Sequence, residues 1–333
     1  MIKAGITGLG WWAQNRVRAG TNSNIQFTAS TVRNAEKAKE AAEKYDLEIY
    51  TSLDKMLETD IEAVCVSTVN TRHDEDIAKA LEAGKHVLVE KPLCLTYEGA
   101  KKVTDMAADK GLVLAVGHNR RFHPSIIEIR KRIADGYFGT LLHIQAYENI
   151  PMALQMPSDN WRATREEWPA AGMAPLGMHQ IDHVIDLCGR FDTVYAQSVR
   201  LAVTNDVDDT ASLSFKLESG MTGSIATITA TAVGMGITIF GSKAAAEIVG
   251  RTYGTLTFRP VGGDPEVITY DFDFVEDPSA SIVAEQQSFA DAIGGKAPFH
   301  ISPADALHSI EALQAIVNSA SSGQPVAIGD ITG

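Results

Sequence analysis

Cysteine is scarce in this chain. Cys65, Cys94 and Cys188 are its three, far apart and without a C-x-x-C pair, which argues against a disulfide framework and a cysteine-based zinc site. We read them as reduced thiols. Long apolar runs are missing too: no stretch approaches the ~20 residues that a membrane helix requires. Nor does the start of the chain show the basic, apolar and small-residue regions of a secretory signal. The expectation is a cytoplasmic protein with no membrane partner. Positive charge is also in short supply, with 29 Lys and Arg against 42 Asp and Glu and a formal net charge of −13. Such a balance repels phosphate backbones, and no basic run offsets it locally, so no nucleic-acid partner is expected.

At 333 residues the chain exceeds the usual size of one compact core, which favours two domains. Up to about residue 120, short apolar runs read as buried strands: Ile2 to Thr7, Ile25 to Val32, Ala63 to Ser67, His86 to Val89 and Val113 to Val116. Helical patterns alternate with them at Ala35 to Tyr45, Asp74 to Ala83 and Thr96 to Lys110. This alternation predicts an α/β domain, a doubly wound parallel sheet of Rossmann type, over residues 1–120.

After a helix near Pro124 to Asp135 the pattern changes. Strand-like segments follow at Leu141 to Tyr147, Val194 to Leu201, Ala211 to Leu217, Thr222 to Thr229, Gly236 to Phe240, Ala245 to Val249, Thr255 to Phe258 and Glu266 to Tyr270. With helices at Ile282 to Ile293 and Pro303 to Ser321, residues 121–333 are predicted to form a second α+β domain with a large, mainly antiparallel sheet.

The sharpest local signal is Gly8-Leu9-Gly10-Trp11-Trp12-Ala13, a G-x-G-x-x-A turn between the first strand and the first helix. Gly8 makes the turn, Gly10 admits close backbone approach to a pyrophosphate, and the helix N–H groups face the anion. A glycine turn in an unrelated α/β protein is the plainer alternative, and the strand–turn–helix context disfavours it. The second strand ends without the acidic residue that holds a ribose diol, since Val32 stands there. Ser30, Thr31 and Arg33 are suited to a 2′-phosphate, so NADP(H) is the preferred cofactor and NAD(H) the alternative.

Polar clusters follow three strands: Thr68, Asn70 and His73; Glu90, Lys91 and Pro92; and His118, Asn119, Arg120 and Arg121. Strand carboxyl ends are where ligands bind in such sheets, so these residues are candidates for the same crevice as the glycine loop. Helix caps and turns are the structural alternative, most of all for His73. Taken in order with Gly8-Leu9-Gly10, Ala83 to Pro92 and Asn119-Arg120-Arg121-Phe122, the chain resembles the glucose-fructose oxidoreductase, inositol dehydrogenase and rhizopine-catabolism (Gfo/Idh/MocA) family along nearly its full length.

The resemblance implies hydride transfer between a nicotinamide and a carbon bearing a hydroxyl or carbonyl, in a sugar, polyol or keto-sugar. Lys91 matches the family lysine near the reacting oxygen, and Pro92 a cis-proline position. His179, in Gly172 to Asp182, matches the histidine of a D-x-G-x-H-x-x-D element. It is the leading general acid/base beside Lys91. The first Asp of that element is Pro175 here, which opens a second reading, a non-catalytic dinucleotide-sensing protein; a third is a cofactor-assisted lyase or glycosidase on the same scaffold.

His179 and His183 have the i, i+4 spacing of a zinc helix. Gln180 replaces the general base of that motif and no third ligand is evident, so no metal is expected. Arg120, Tyr147, Trp161, Arg162 and Asp182 complete the substrate candidates, with Asn119. Arg stems and sheet tyrosines pack structurally just as often. A homodimer or homotetramer through the second domain's sheet is the expected assembly.

Overall fold

A computed structural model describes residues 1–250, 252–271 and 279–332. The chain divides into two compact units, Met1–Asn119 with Pro278–Leu307, and Arg120–Asp277 with His308–Gly333. A late segment, Pro278–Leu307, thus belongs to the first unit.

The first unit begins β1 (Ile2–Thr7), α1 (Trp11–Gly20), β2 (Ile25–Thr31), α2 (Ala35–Tyr45), β3 (Glu48–Tyr50), α3 (Leu53–Leu57) and β4 (Ala63–Val66). It continues α4 (His73–Glu82), β5 (His86–Glu90), α5 (Tyr97–Lys110) and β6 (Leu114–Gly117). The strands form one six-stranded sheet in the order β3-β2-β1-β4-β5-β6, with every pairing parallel. All four residues of β4 are buried, as a strand covered on both faces requires. Helix ends carry their own signals: Asn34 accepts the Lys37 N–H at 3.1 Å, and Gly111 ends α5 at a φ of 64°, where glycine is unstrained.

The second unit holds α6 (Pro124–Ala134), β7 (Leu141–Asn149), α7 (Met178–Cys188), β8 (Phe191–Val199), β9 (Thr210–Leu217) and β10 (Thr222–Ile228). β11 (Gly234–Gly241), β12 (Ala244–Val249), β13 (Thr255–Pro260) and β14 (Glu266–Thr269) follow. Then come α8 (Ser279–Ile293), which belongs to the first unit, α9 (Pro303–Ser322), β15 (Val326–Ala327) and α10 (Gly329–Thr332).

Nine strands pair in the order β14-β13-β12-β11-β7-β10-β9-β8-β15. All neighbours are antiparallel except β7 and β10. β9 alternates buried and outward residues along its length, the signature of a sheet with one covered face. α8 returns to the first unit because Phe289 and Ala290 join the Rossmann core of Ile6, Cys65, Leu88 and Ala115.

Candidate active site

At the end of β1 the chain turns at Gly8, with a φ of 77° that glycine adopts without strain. A Cβ there would sit 3.1 Å from the Ser67 carbonyl oxygen, so the turn lies hard against the end of β4. Thr7 Oγ1 accepts the Ser67 N–H at 2.8 Å across the same two strand ends. Gly10 then serves as N-cap of α1 without a capping side chain, and the first turn carries no acidic residue. A Cβ built on Gly10 meets no atom within 4 Å. An uncapped helix N-terminus facing open space, at the point where strand order reverses between β1 and β4, suits an anion. These residues therefore fit the pyrophosphate of a dinucleotide.

Beside this loop the expected cofactor residues divide. Trp11 is 64% exposed, whereas Trp12 is half-buried and donates its indole N–H to Glu90. Thr31 is half-buried and Arg33 exposed at the end of β2. Ser30 is fully buried with its hydroxyl 3.4 Å from the Gly8 carbonyl oxygen. There it sits against the glycine turn.

Asn70 lies half-buried in a short 3-10 turn, Asn70–Arg72, while the Thr68 hydroxyl is committed to Asp76 at 2.7 Å. His73 is wholly buried, with Nδ1 2.7 Å from the Pro92 carbonyl oxygen and Nε2 3.3 Å from that of Thr68. Burial lowers its pKa, and a neutral imidazole donates from one nitrogen only, for which Pro92 is the nearer partner. His73 thus pins the turn after β4 to the turn after β5, the structural alternative to its expected place at the cofactor.

Lys91 stands half-buried in that second turn, and the Lys91–Pro92 peptide bond is cis. Glu90, immediately before it, points inward. One of its oxygens accepts from both Trp12 Nε1 and Arg16 Nε. Arg16 is fully buried, and its Nη1 reaches Glu285 of α8 at 2.7 Å. Burial opposes the Arg16 charge, but the two carboxylates outweigh it and hold its pKa well above the ordinary value. Glu90 therefore braces the lysine turn against α1. Asn119, fully buried after β6, donates through Nδ2 to Ser281 Oγ at 2.8 Å.

In the second unit, the approach to α7 is unusual. Ala170, Ala171 and Gly172 have φ of 46°, 51° and 82°, three consecutive left-handed residues. A π-helical turn follows, Met173–Gly177, with Pro175 inside it. Single π turns mark functional segments often, and this one delivers His179, 7% exposed, one residue into α7.

α7 is held by charge on two sides. Arg121 grips Asp182 through three hydrogen bonds of 2.7 to 3.0 Å, and Arg130 binds Asp186 at 2.5 and 3.1 Å. Against β7, the 2%-exposed Glu148 receives a bidentate pair from Arg120, both bonds at 2.7 Å, and the Gln180 amide at 3.0 Å. Arg120 Nη1 also lies 3.3 Å from the Tyr253 hydroxyl, which in turn lies 3.3 Å from His183 Nε2. Arg120 can only donate, so Tyr253 accepts from it, while the tautomer of His183 decides which group donates across the second contact.

Two substrate candidates, Arg120 and Asp182, thus lie in buried ion pairs, Arg120 with Glu148 and Asp182 with Arg121. Ile144, Ala146 and Glu148 form the buried row of β7, so Tyr147 points to the opposite face of the sheet from Glu148. Arg162 lies half-buried with its guanidinium 4.1 Å over the Trp161 ring, and among the described residues it makes no ion pair. Arg16, Glu285, Glu148 and Tyr253 escaped the sequence reading. Their one signal was charge or hydroxyl inside an otherwise buried row, which periodicity does not distinguish from an exposed position.

Fold and loop together define a two-unit, dinucleotide-binding oxidoreductase architecture. Residues 2–118 match the oxidoreductase family with an NAD-binding Rossmann fold, and residues 126–247 match the GFO/IDH/MocA C-terminal domain. The chain belongs to the GFO/IDH/MocA oxidoreductase family.

Among curated relatives, an uncharacterized oxidoreductase of Schizosaccharomyces pombe is 35% identical over 161 residues, 48% of this chain and 42% of its own. The levoglucosan dehydrogenase of Pseudarthrobacter phenanthrenivorans is 32% identical over 49% of this chain and 43% of its own. The NADP+-dependent scyllo-inositol 2-dehydrogenase of Bacillus subtilis is 30% identical over 56% and 52%. The chain thus spans about half the length, or less, of the curated relatives it matches. A levoglucosan dehydrogenase structure with NADH and L-sorbose superposes with a TM-score of 0.90, covering 100% of both chains at 21% identity, which shows the shared fold.

Proposed function

We propose that this chain is an NAD(P)-dependent dehydrogenase or reductase, preferring NADP, that acts on a sugar-, polyol- or keto-sugar-like substrate. The observation that carries the reading is the open, uncapped Gly8–Gly10 turn at the switch point of the Rossmann sheet. A bound nicotinamide supplies hydride exchange at its C4. The chain's own part is to hold the pyrophosphate at the α1 N-terminus and to manage charge and protons at the substrate oxygen. The Lys91 ammonium stabilises developing alkoxide charge, and His179 gives or takes the alcohol proton. With Pro175 where a carboxylate commonly stands in the family, that work rests on these two residues. Trp161 and Arg162 supply a flat apolar surface and a cation for substrate hydroxyl or carboxylate groups.

Thr31 and Arg33 support the NADP preference, since Arg33 is exposed beside the glycine turn and no acidic residue ends β2. Removing one charge-assisted contact, Arg33→Ala is expected to weaken NADPH binding by about tenfold or more while leaving NADH within twofold. The free thiols Cys65, Cys94 and Cys188 support a cytoplasmic site of action, and the outward face of the large sheet supports a homodimer or homotetramer.

Fluorescence titration with NADPH and NADH, followed by turnover on levoglucosan, L-sorbose, scyllo-inositol and 1,5-anhydro-D-fructose, tests the reading. Binding together with turnover lost in Lys91→Ala sustains it. Tight binding with no turnover assigns the chain to dinucleotide sensing, and failure to bind either dinucleotide overturns both.

A further inference from the structure

The side chains that hold α7 converge on one carboxylate. Glu148 occupies the third place in the inward row of β7 after Ile144 and Ala146, where packing alone would ask for an apolar residue. Burying a carboxylate is costly unless its oxygens are filled. Here both oxygens are filled by the Arg120 fork, and one also accepts Gln180 Nε2 at 3.0 Å. Gln180 is fully buried and directly follows His179 in α7. The second contact to the same helix runs from Arg120 through Tyr253 to His183 Nε2, each step 3.3 Å. Gln180 is the residue after His179, and His183 lies one turn beyond it on the same face of the helix. A helix fixed at both positions resists rotation about its axis and sliding along the sheet, the two motions that would displace the His179 imidazole at its start.

We propose that Glu148 is a positioning residue for His179, acting through the neighbouring Gln180 and, one turn on, through Arg120, Tyr253 and His183. The proposal rests on His179 being the acid/base of the reaction above. Glu148 meets neither substrate nor cofactor. Its part is to keep the His179 ring in one place, because a shift of about 1 Å in a reacting group costs up to about 100-fold in rate.

The test compares wild-type protein with Glu148→Gln, Gln180→Met, Tyr253→Phe and His179→Ala. Imidazole 1H–13C spectra are followed over pH, with His179→Ala assigning the His179 signal. In Glu148→Gln and Gln180→Met the His179 signal is expected to broaden or to move its midpoint by about half a pH unit. Turnover on whichever compound of the panel is active should fall by about 10- to 100-fold in kcat, with NADPH affinity within twofold. Gln180→Met keeps the Arg120–Glu148 pair whole and decides the matter if Glu148→Gln does not fold. An unmoved His179 signal and wild-type kcat in folded Gln180→Met overturn the proposal. Undiminished turnover in His179→Ala instead overturns the acid/base reading, and the spectra still report whether Glu148 positions the ring.

Discussion

Strain at single residues concentrates just before α7. Ala171 is fully buried at a φ of 51°, and its carbonyl accepts the Thr227 hydroxyl at 2.9 Å. An L-residue in the left-handed region costs roughly 1–2 kcal/mol, while glycine gives back about 0.4–1 kcal/mol through the freer unfolded chain. Ala171→Gly is therefore expected to raise stability by about 0.5–1 kcal/mol, read as a later urea midpoint with unchanged slope. An earlier midpoint would mean that the alanine methyl packs better than its backbone suffers.

His123 is a second residue with a measurable consequence. It is 1% exposed, and burial pulls its pKa down from 6.5 to about 4. The folded value lies below the unfolded one, so the unfolded chain takes up a proton that the native state refuses. Stability is then complete above about pH 6.5 and falls as pH drops toward 4, by on the order of 3 kcal/mol. Its Nδ1 caps α6, accepting the Ser125 N–H at 3.3 Å, a role asparagine also fills. His123→Asn should lose distinctly less stability than wild type between pH 7 and pH 4.5 in urea unfolding, and equal losses would refute the burial account.

Among the elements, α8 has the most to explain. It lies far along the chain from the Rossmann strands, yet Glu285 reaches the buried Arg16 at 2.7 Å and Gln286 donates to the Arg16 carbonyl at 2.9 Å. Arg16→Met would leave Glu90 and Glu285 buried without a counter-charge and should cost about 3–5 kcal/mol. Glu285→Gln leaves the Arg16–Glu90 pair neutral and should cost less than half as much. Denaturant unfolding of both variants separates this ion cluster from simple packing, which would make the two losses similar. The helical pattern of this segment is plain in sequence, but its docking partner is not, because periodicity reports which face is apolar and not what covers it.

The same limit applies elsewhere. β1, β2, β4, β5 and β6 could be read from their apolar runs, whereas β3 has only three residues, Glu48–Tyr50, too few to show a period. Gly8, Gly10 and Lys91 were readable because turn chemistry and order along the chain mark them. Glu148 was not, since a buried acid and an exposed acid look alike until the strand's facing is known.

For the whole molecule, the unanswered surface is the outward face of the nine-stranded sheet. Its central strands present Gln145 and Tyr147 from β7, Ser224 and Ala226 from β10, Ser212 and Ser214 from β9 and Thr238 from β11. None of these carries charge, in a chain whose net charge is −13, and Gln145 is exposed. The middle of this face around Gln145 is uncharged, with Lys216 of β9 and the Glu247–Arg259 pair of β12 and β13 farther out, and it suits an isologous contact with a second copy, in which each residue near the symmetry axis meets its own equivalent or a close neighbour. One substituted charge near the centre would then be placed close to its twin and left poorly solvated, which is the most sensitive probe a single residue offers. Sedimentation at about ten micromolar protein should give wild type a multiple of the 35.8 kDa chain mass, and Gln145→Lys should shift it toward 35.8 kDa with its circular dichroism intact. If wild type already sediments as a monomer, the face serves no self-association. If Gln145→Lys assembles as wild type does, the copies meet through a different surface.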